Sequence, residues 1–155
     1  EEGGSEGCAE IEREAGEEGG GEEGGGEAGM IRVPDGGELM RPFLPAKDFE
    51  TSKRFYEALG FEKTLDGEVA IFMAGSGGFI LQRYYQKEWA ENFMMQIVVD
   101  DLDAWWSHLQ SLDLAARFDV QAPKAPAMQP WGLRVAYVVD PSGVLWHFAQ
   151  CHRDG

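Results

Sequence analysis

Gln129-Pro130-Trp131-Gly132 leads into Leu133-Arg134-Val135-Ala136-Tyr137-Val138-Val139, and that run is followed by Asp140-Pro141-Ser142-Gly143 and then Val144-Leu145-Trp146-His147-Phe148. The first run is rich in β-branched and aromatic residues, which favour a pleated, half-buried strand. Pro141 presets φ for the second position of a tight turn, and Gly143 supplies a positive φ at no steric cost. Strands on either side of so short a turn pair as an antiparallel hairpin. The hairpin is entered through a loop that carries a tryptophan off any amphipathic stripe.

Working outward, Met94 to Val99 reads as a strand. Asp101 can cap a helix whose Leu102, Trp105, Trp106, Leu109 and Leu112 recur at helical spacing. A short strand is predicted near Arg117 to Gln121, followed by a loop with Pro123, Pro126 and Pro130. The upstream half has the same order. Met40 to Pro45 is a strand, and Asp48 caps a helix with Phe55, Tyr56, Leu59 and Ser52 on one face. Gly60 stands where a helix ends in a left-handed residue. Strands follow near Phe61 to Leu65, Val69 to Ala74 and Phe79 to Tyr85, with turns at Asp66-Gly67 and Gly75 to Gly78. Asp48 and Leu59 share their spacing with Asp101 and Leu112, offset by 53 residues. The simplest account is a duplicated βαβββ module, giving an α+β domain over 39–152 with modules at about 39–86 and 93–151.

Charge is unevenly spread. The chain of 155 residues carries a formal net charge of -15. Residues 1–29 hold eleven Glu against one Arg, and 11 of the 21 Gly. Such a composition buries too little apolar surface to offset chain entropy, so residues 1–38 are expected to form a disordered acidic tail. Either a solubilising or partner-binding role, or none, fits that tail; Met30 or Met40 could open the domain proper. No run of about 18 apolar residues is present, and the acidic N-terminus lacks the basic start of a signal peptide, so no membrane partner is expected. An acidic chain without a basic stripe is a poor ligand for nucleic acid. Two distant cysteines, Cys8 and Cys151, read as free thiols in a reducing cytoplasm.

The residues now carry a resemblance. Leu44-Pro45-Ala46-Lys47-Asp48, Ser52, Phe55-Tyr56 and Leu59-Gly60-Phe61 resemble the first-module signature of the glyoxalase/bleomycin-resistance/dioxygenase (vicinal-oxygen-chelate) superfamily. Val99-Asp100-Asp101-Leu102 resembles its second-module opening. Gln129 to Gly132 and Asp140 to Gly143 look most like its bleomycin-resistance branch. The likeness implies sheets curled around a cleft with helices on the outer face. It also implies a small-molecule ligand and a homodimer with pockets between subunits.

Metal enzymes of that superfamily use four inward-facing strand positions. Seven residues before Asp48 stands Arg41, and seven after Asp140 stands His147. The other two positions fall on Met94 and on Leu81, or on Gln82 with a shift of one. A guanidinium, a thioether and an alkyl group do not build a divalent-metal site, so no metal and no cofactor is expected.

Strand alternation sorts the remaining candidates. If His147 faces the cleft, Leu145 and Ala149 do so too, and Trp146 and Phe148 face the helices. Met94 brings Gln96 and Val98, and Arg41 brings Phe43. Trp131 is the first candidate for ligand stacking; covering a sheet edge or a dimer seam is its alternative. His147 is a ligand contact or a hydrogen-bonded sheet imidazole. Tyr84, Tyr85 and Trp89 line either the cleft mouth or a subunit interface. Arg83 and Arg134 are anion contacts or surface cations.

Three functional classes emerge. The first is a metal-independent protein of the bleomycin-resistance type that binds an aromatic, cationic, antibiotic-like molecule and acts by sequestration. The second is an enzyme of the same superfamily, a lyase, isomerase or dioxygenase, with an atypical or metal-free site using His147 as acid and base. The third is a regulatory domain whose cleft is filled by its own side chains. No nucleophile motif and no phosphate-binding loop supports other chemistry.

Overall fold

The structure is a computed structural model and describes residues 39–151; the predicted acidic tail and His152 lie outside the described residues. The first module comprises β1 (Phe43–Pro45), α1 (Phe49–Leu59), β2 (Glu62–Asp66), β3 (Ala70–Ala74) and β4 (Gly77–Gln82). A short α2 (Lys87–Glu91) leads to the second module. That module contains β5 (Met94–Val98), α3 (Leu102–Ser111), α4 (Leu114–Phe118), β6 (Lys124–Met128), β7 (Leu133–Val139) and β8 (Leu145–Cys151). Each module makes one four-stranded mixed sheet, ordered β1-β4-β3-β2 and β5-β8-β7-β6. In both, the first strand runs parallel to the last and the other pairs are antiparallel. The α+β duplication read from the sequence is the observed fold.

The helix starts are those the sequence marks. The Asp48 side chain accepts from Thr51 N at 2.9 Å and the Asp101 side chain from Ala104 N at 2.9 Å, each relieving an orphan donor of the first turn. Gly60 closes α1 at φ 96°, where an L side chain would be strained. Lys53 and Lys63 meet at Asp66, both at 2.8 Å, and tie α1 to the far end of β2.

One element departs from expectation. The strand predicted at 117–121 is not formed; residues 114–118 are helical and the strand lies at Lys124–Met128. Asp113 and Asp119 adopt left-handed backbone (φ 49° and 53°) on either side of α4, and Phe118 packs edge-on to Phe55 of α1. That aromatic contact holds the segment as helix. Pro126 is then accommodated within β6, an edge strand with a register shift between Lys124 and Ala127. An edge and a bulge are the places where a sheet tolerates a residue without an N–H.

Both modules share one core. Tyr56 of α1 touches Phe72 and Phe79 of its own sheet and Trp146 of the other. Its hydroxyl donates to Asp140 and accepts from Trp146 Nε1 at 3.2 Å. The other Asp140 oxygen accepts from Ser142 N at 2.8 Å and Val144 N at 2.9 Å, which closes the β7–β8 turn. Ser142 Oγ in turn accepts from Lys47 N at 2.9 Å. Burial pushes the Asp140 carboxyl up to about 6, against the downward pull of Tyr56 and the turn amides. Burial and the neighbouring Asp140 hold the Tyr56 phenol well above its ordinary value, so it stays the donor.

Tyr56→Phe leaves the second Asp140 oxygen and the Trp146 indole N–H without their buried partner. It should cost about 1–3 kcal/mol in urea unfolding. An acid whose folded pKa exceeds its unfolded value binds more protons when folded. Asp140 therefore contributes more stability as pH falls from above 6 toward its ordinary 3.8. Asp140→Asn keeps an acceptor for the turn amides and cannot titrate. The wild-type midpoint should gain on that of the variant across this window, by about 3 kcal/mol in full; parallel pH profiles would exclude the buried titration.

Candidate functional site

Each sheet turns one face to the helices and core and leaves the other open. On β8, Trp146 and Phe148 are buried while Leu145 and His147 are half-buried on the opposite face. The hairpin register places Tyr137 opposite His147 and Val139 opposite Leu145. The parallel pair with β5 places Gln96 beside His147 and Met94 beside Leu145. All six share the open face, because neighbouring residues in a ladder project to the same side.

A cavity of about 380 Å3 sits on this face. Met94, Trp131, Tyr137, Val139, Leu145 and His147 line it, with Gln121, Ala122 and Lys124 closing one side. Its volume lies within the range of small-molecule sites, and its walls are mostly apolar. Gly132 (φ 89°) forms the turn into β7, and the 129–133 loop closes with Gln129 N donating to Leu133 O at 2.8 Å. Trp131 stands on that loop 56 % exposed. His147 packs edge-to-face on Tyr137 at 4.8 Å. Its Nε2 is buried and has no hydrogen-bond partner among the described residues. Burial also lowers its pKa, so the ring is neutral at pH 7.

The cavity therefore brings together three of the predicted site residues: His147, Trp131 and Met94. Gln96 shares their face without lining the cavity. Phe43 belongs to the other sheet, and Arg41 precedes its first strand. Phe43 is 50 % exposed on its open face, and Arg41 carries a buried Nε without a partner, while its Nη2 lies 3.8 Å from Met73 Sδ. Tyr84 is exposed beside Trp89, ring centroids 6.0 Å apart. Arg134 points the other way: it shares the helix face with Ala136 and Val138 and pairs with Asp103 of α3 at 2.7 Å. Arg83 stacks on the Phe49 ring at 4.2 Å. Leu81 is fully buried beside Leu44, so the open-face position on β4 belongs to Gln82. Tyr137 and Val139 were missed as cavity residues, although pairing outward from the Asp140 turn aligns them with His147 and Leu145. Lys124 was missed because β6 was sought too early in the chain.

Comparison with known proteins places this geometry. Residues 38–148 match the family model described as Glyoxalase/Bleomycin resistance protein/Dioxygenase superfamily. The chain belongs to this superfamily. It is 32% identical over 123 residues to a bleomycin resistance protein of Klebsiella pneumoniae, covering 70% of this chain and 89% of that one. Among solved structures it is similar to the bleomycin-binding protein of Streptomyces verticillus in complex with copper(II)-bleomycin, with TM-score 0.63 and 26% identity over 80% of this chain and 100% of that one. A bleomycin-binding protein complexed with bleomycin aligns with TM-score 0.61 and 27% identity, covering 74% and 98% of the two chains.

The positions to which the resemblance carries the superfamily's metal ligands hold Arg41, Met94, His147 and, on the open face of β4, Gln82 rather than Leu81. One imidazole, one amide, a thioether and a cation do not match the His and carboxylate donors that a divalent ion needs. Among the described residues, no group of three or more His, Cys, Asp or Glu could hold an ion. The donors at these four positions do not fit a resident divalent metal.

Two outcomes follow from this geometry. The His147 imidazole should titrate below its ordinary 6.5 when followed by NMR, because burial disfavours its charged form. Trp131→Ala should change stability by no more than about 0.5 kcal/mol in urea unfolding, since a half-exposed loop side chain supports little of the fold.

Proposed function

We propose that this protein binds an aromatic, bleomycin-type antibiotic and acts by sequestering it, without a metal of its own and without altering the ligand. The observation that carries the reading is the open, apolar cavity of about 380 Å3 with the Trp131 indole at its edge and an unsatisfied His147 Nε2 inside. Apolar walls supply contact area, the indole offers a stacking surface, and a lone polar nitrogen fixes orientation. The relatives named above support the ligand class. An open cavity also speaks against a cleft filled by its own side chains.

The functional unit of this reading is a homodimer. Phe43 and Leu65 on the first sheet, and Met94, Val98 and Met128 on the second, are large apolar side chains left about half exposed or more. Patches of this kind mark interaction surfaces. In the proposed dimer, the open face around Arg41 and Phe43 of one copy completes the cavity around His147 and Trp131 of its partner. The protein acts in the cytoplasm. A second reading, a metal-free acid–base enzyme, rests on the same neutral, unpartnered His147 beside Tyr137, since one imidazole can move a proton.

Titration with metal-free bleomycin should quench tryptophan fluorescence saturably and return the antibiotic chemically unchanged. Trp131→Ala should weaken binding roughly 30-fold, the equivalent of about 2 kcal/mol for a stacking tryptophan. Chemical conversion of bleomycin, or stoichiometric metal in the purified protein, would overturn the reading. Sedimentation should give twice the chain mass. Mixing Phe43→Ala with His147→Ala chains should give one intact site in every mixed dimer, about a quarter of all sites when equal amounts mix at random; failure of this rescue would refute a site shared between copies.

A further inference from the structure

We infer that the cavity on the second sheet filters ligands by charge: Lys124 and His147 admit an aromatic group bearing hydrogen-bond acceptors or negative charge, and a cationic ligand keeps its ammonium groups outside. This inference rests on the binding reading above and sharpens it. It also revises the cationic part of the aromatic, cationic, antibiotic-like ligand expected from the sequence.

The residues lining the cavity that carry polar groups are Gln121, Lys124, His147, Tyr137 and Trp131, and no Asp or Glu is among them. Lys124 has no ion-pair partner among the described residues. It lies on β6 directly across the ladder from Tyr137, which itself pairs with His147, so all three belong to one face. A lysine ammonium only donates, and it is a compact point charge. A sulfonate, carboxylate, phenolate or carbonyl oxygen entering the cavity meets a donor there. An entering ammonium meets a like charge on exposed Lys124, whose repulsion solvent and salt screen, so the discrimination is modest and greatest at low ionic strength. Gln121 can serve either polarity and does not decide. The chain as a whole is acidic and draws cations toward its surface at long range. The local and global fields thus act in opposite directions. Together they sort a two-ended ligand: the planar, acceptor-bearing end enters and the cationic end stays in solvent.

The sulfonate, hydroxymethyl and trimethylammonium-methyl derivatives of naphthalene share one ring and differ in charge. Their affinities for the full-length protein are measured by NMR, following the Trp131 indole and His147 resonances at low ionic strength. The sulfonate should bind best and the trimethylammonium compound worst, with a span of about tenfold. Lys124→Gln should collapse that span, and Lys124→Glu should reverse it. All three binding equally, the cation binding best, or an unchanged order in Lys124→Gln would each overturn the filter while leaving the cavity as a ligand site. If none of the three shifts either resonance at millimolar concentration, the cavity is not a ligand site, and the filter falls together with the reading on which it rests.

Discussion

The Asp140 carboxylate accepts from the turn amides of Ser142 and Val144 with one oxygen and from the Tyr56 hydroxyl with the other. The first oxygen fixes the β7–β8 turn, and with it the register that sets Tyr137 opposite His147. The second fastens that hairpin to the helix of the other module. A buried carboxylate costs folding free energy unless it is well paired. Here three donors converge on it, and Trp146 donates to the same phenol. The wall of the cavity and the joint between modules therefore depend on one small polar knot within an otherwise apolar core.

Much of this architecture was legible in the chain because local and global signals agree. Asp48 and Asp101 are helix caps by chemistry and by position, and Pro141 with Gly143 demands a tight turn. The shared 53-residue offset then makes each module a check on the other. The region between α3 and β7 was not legible, for a physical reason. Residues 114–118 are helical through a distant aromatic contact with Phe55, and β6 tolerates Pro126 only because it is an edge strand with a bulge. Neither fact is a property of the local sequence. The cost fell on the site, because Lys124 lies on that strand.

The structure separates two arginines that the sequence offered alike as ligand contacts. Arg134 lies on β7 one step out of phase with Tyr137, and so reaches Asp103 of α3 rather than the cavity. Arg41 precedes β1 on the open-face phase of the first sheet and keeps a buried Nε without a partner. A buried donor left unpaired costs about 1–3 kcal/mol, so it demands a partner, and an ordered water meets that demand as well as a ligand does. His147 Nε2 poses the same demand on the second sheet. Of the two, only His147 lines the cavity; Arg41 stands beside the other sheet.

An antiparallel or mixed sheet with one solvated face ordinarily shows apolar residues inward and polar residues outward. Here the outward phase of β5 reads Met94, Gln96, Val98, that of β3 reads Ile71, Met73, and that of β1 centres on Phe43. The excess of apolar side chains on faces that do not contact the core has no use in the isolated fold and carries an aggregation hazard. A small ligand covers only the area around Trp131 and His147, because the cavity there is lined wholly by residues of the second module. Phe43, Ile71 and Met73 belong to the first sheet and lie beyond its reach. In the proposed homodimer, a two-fold copy of the same chain would cover both faces at once, each copy supplying the complementary half.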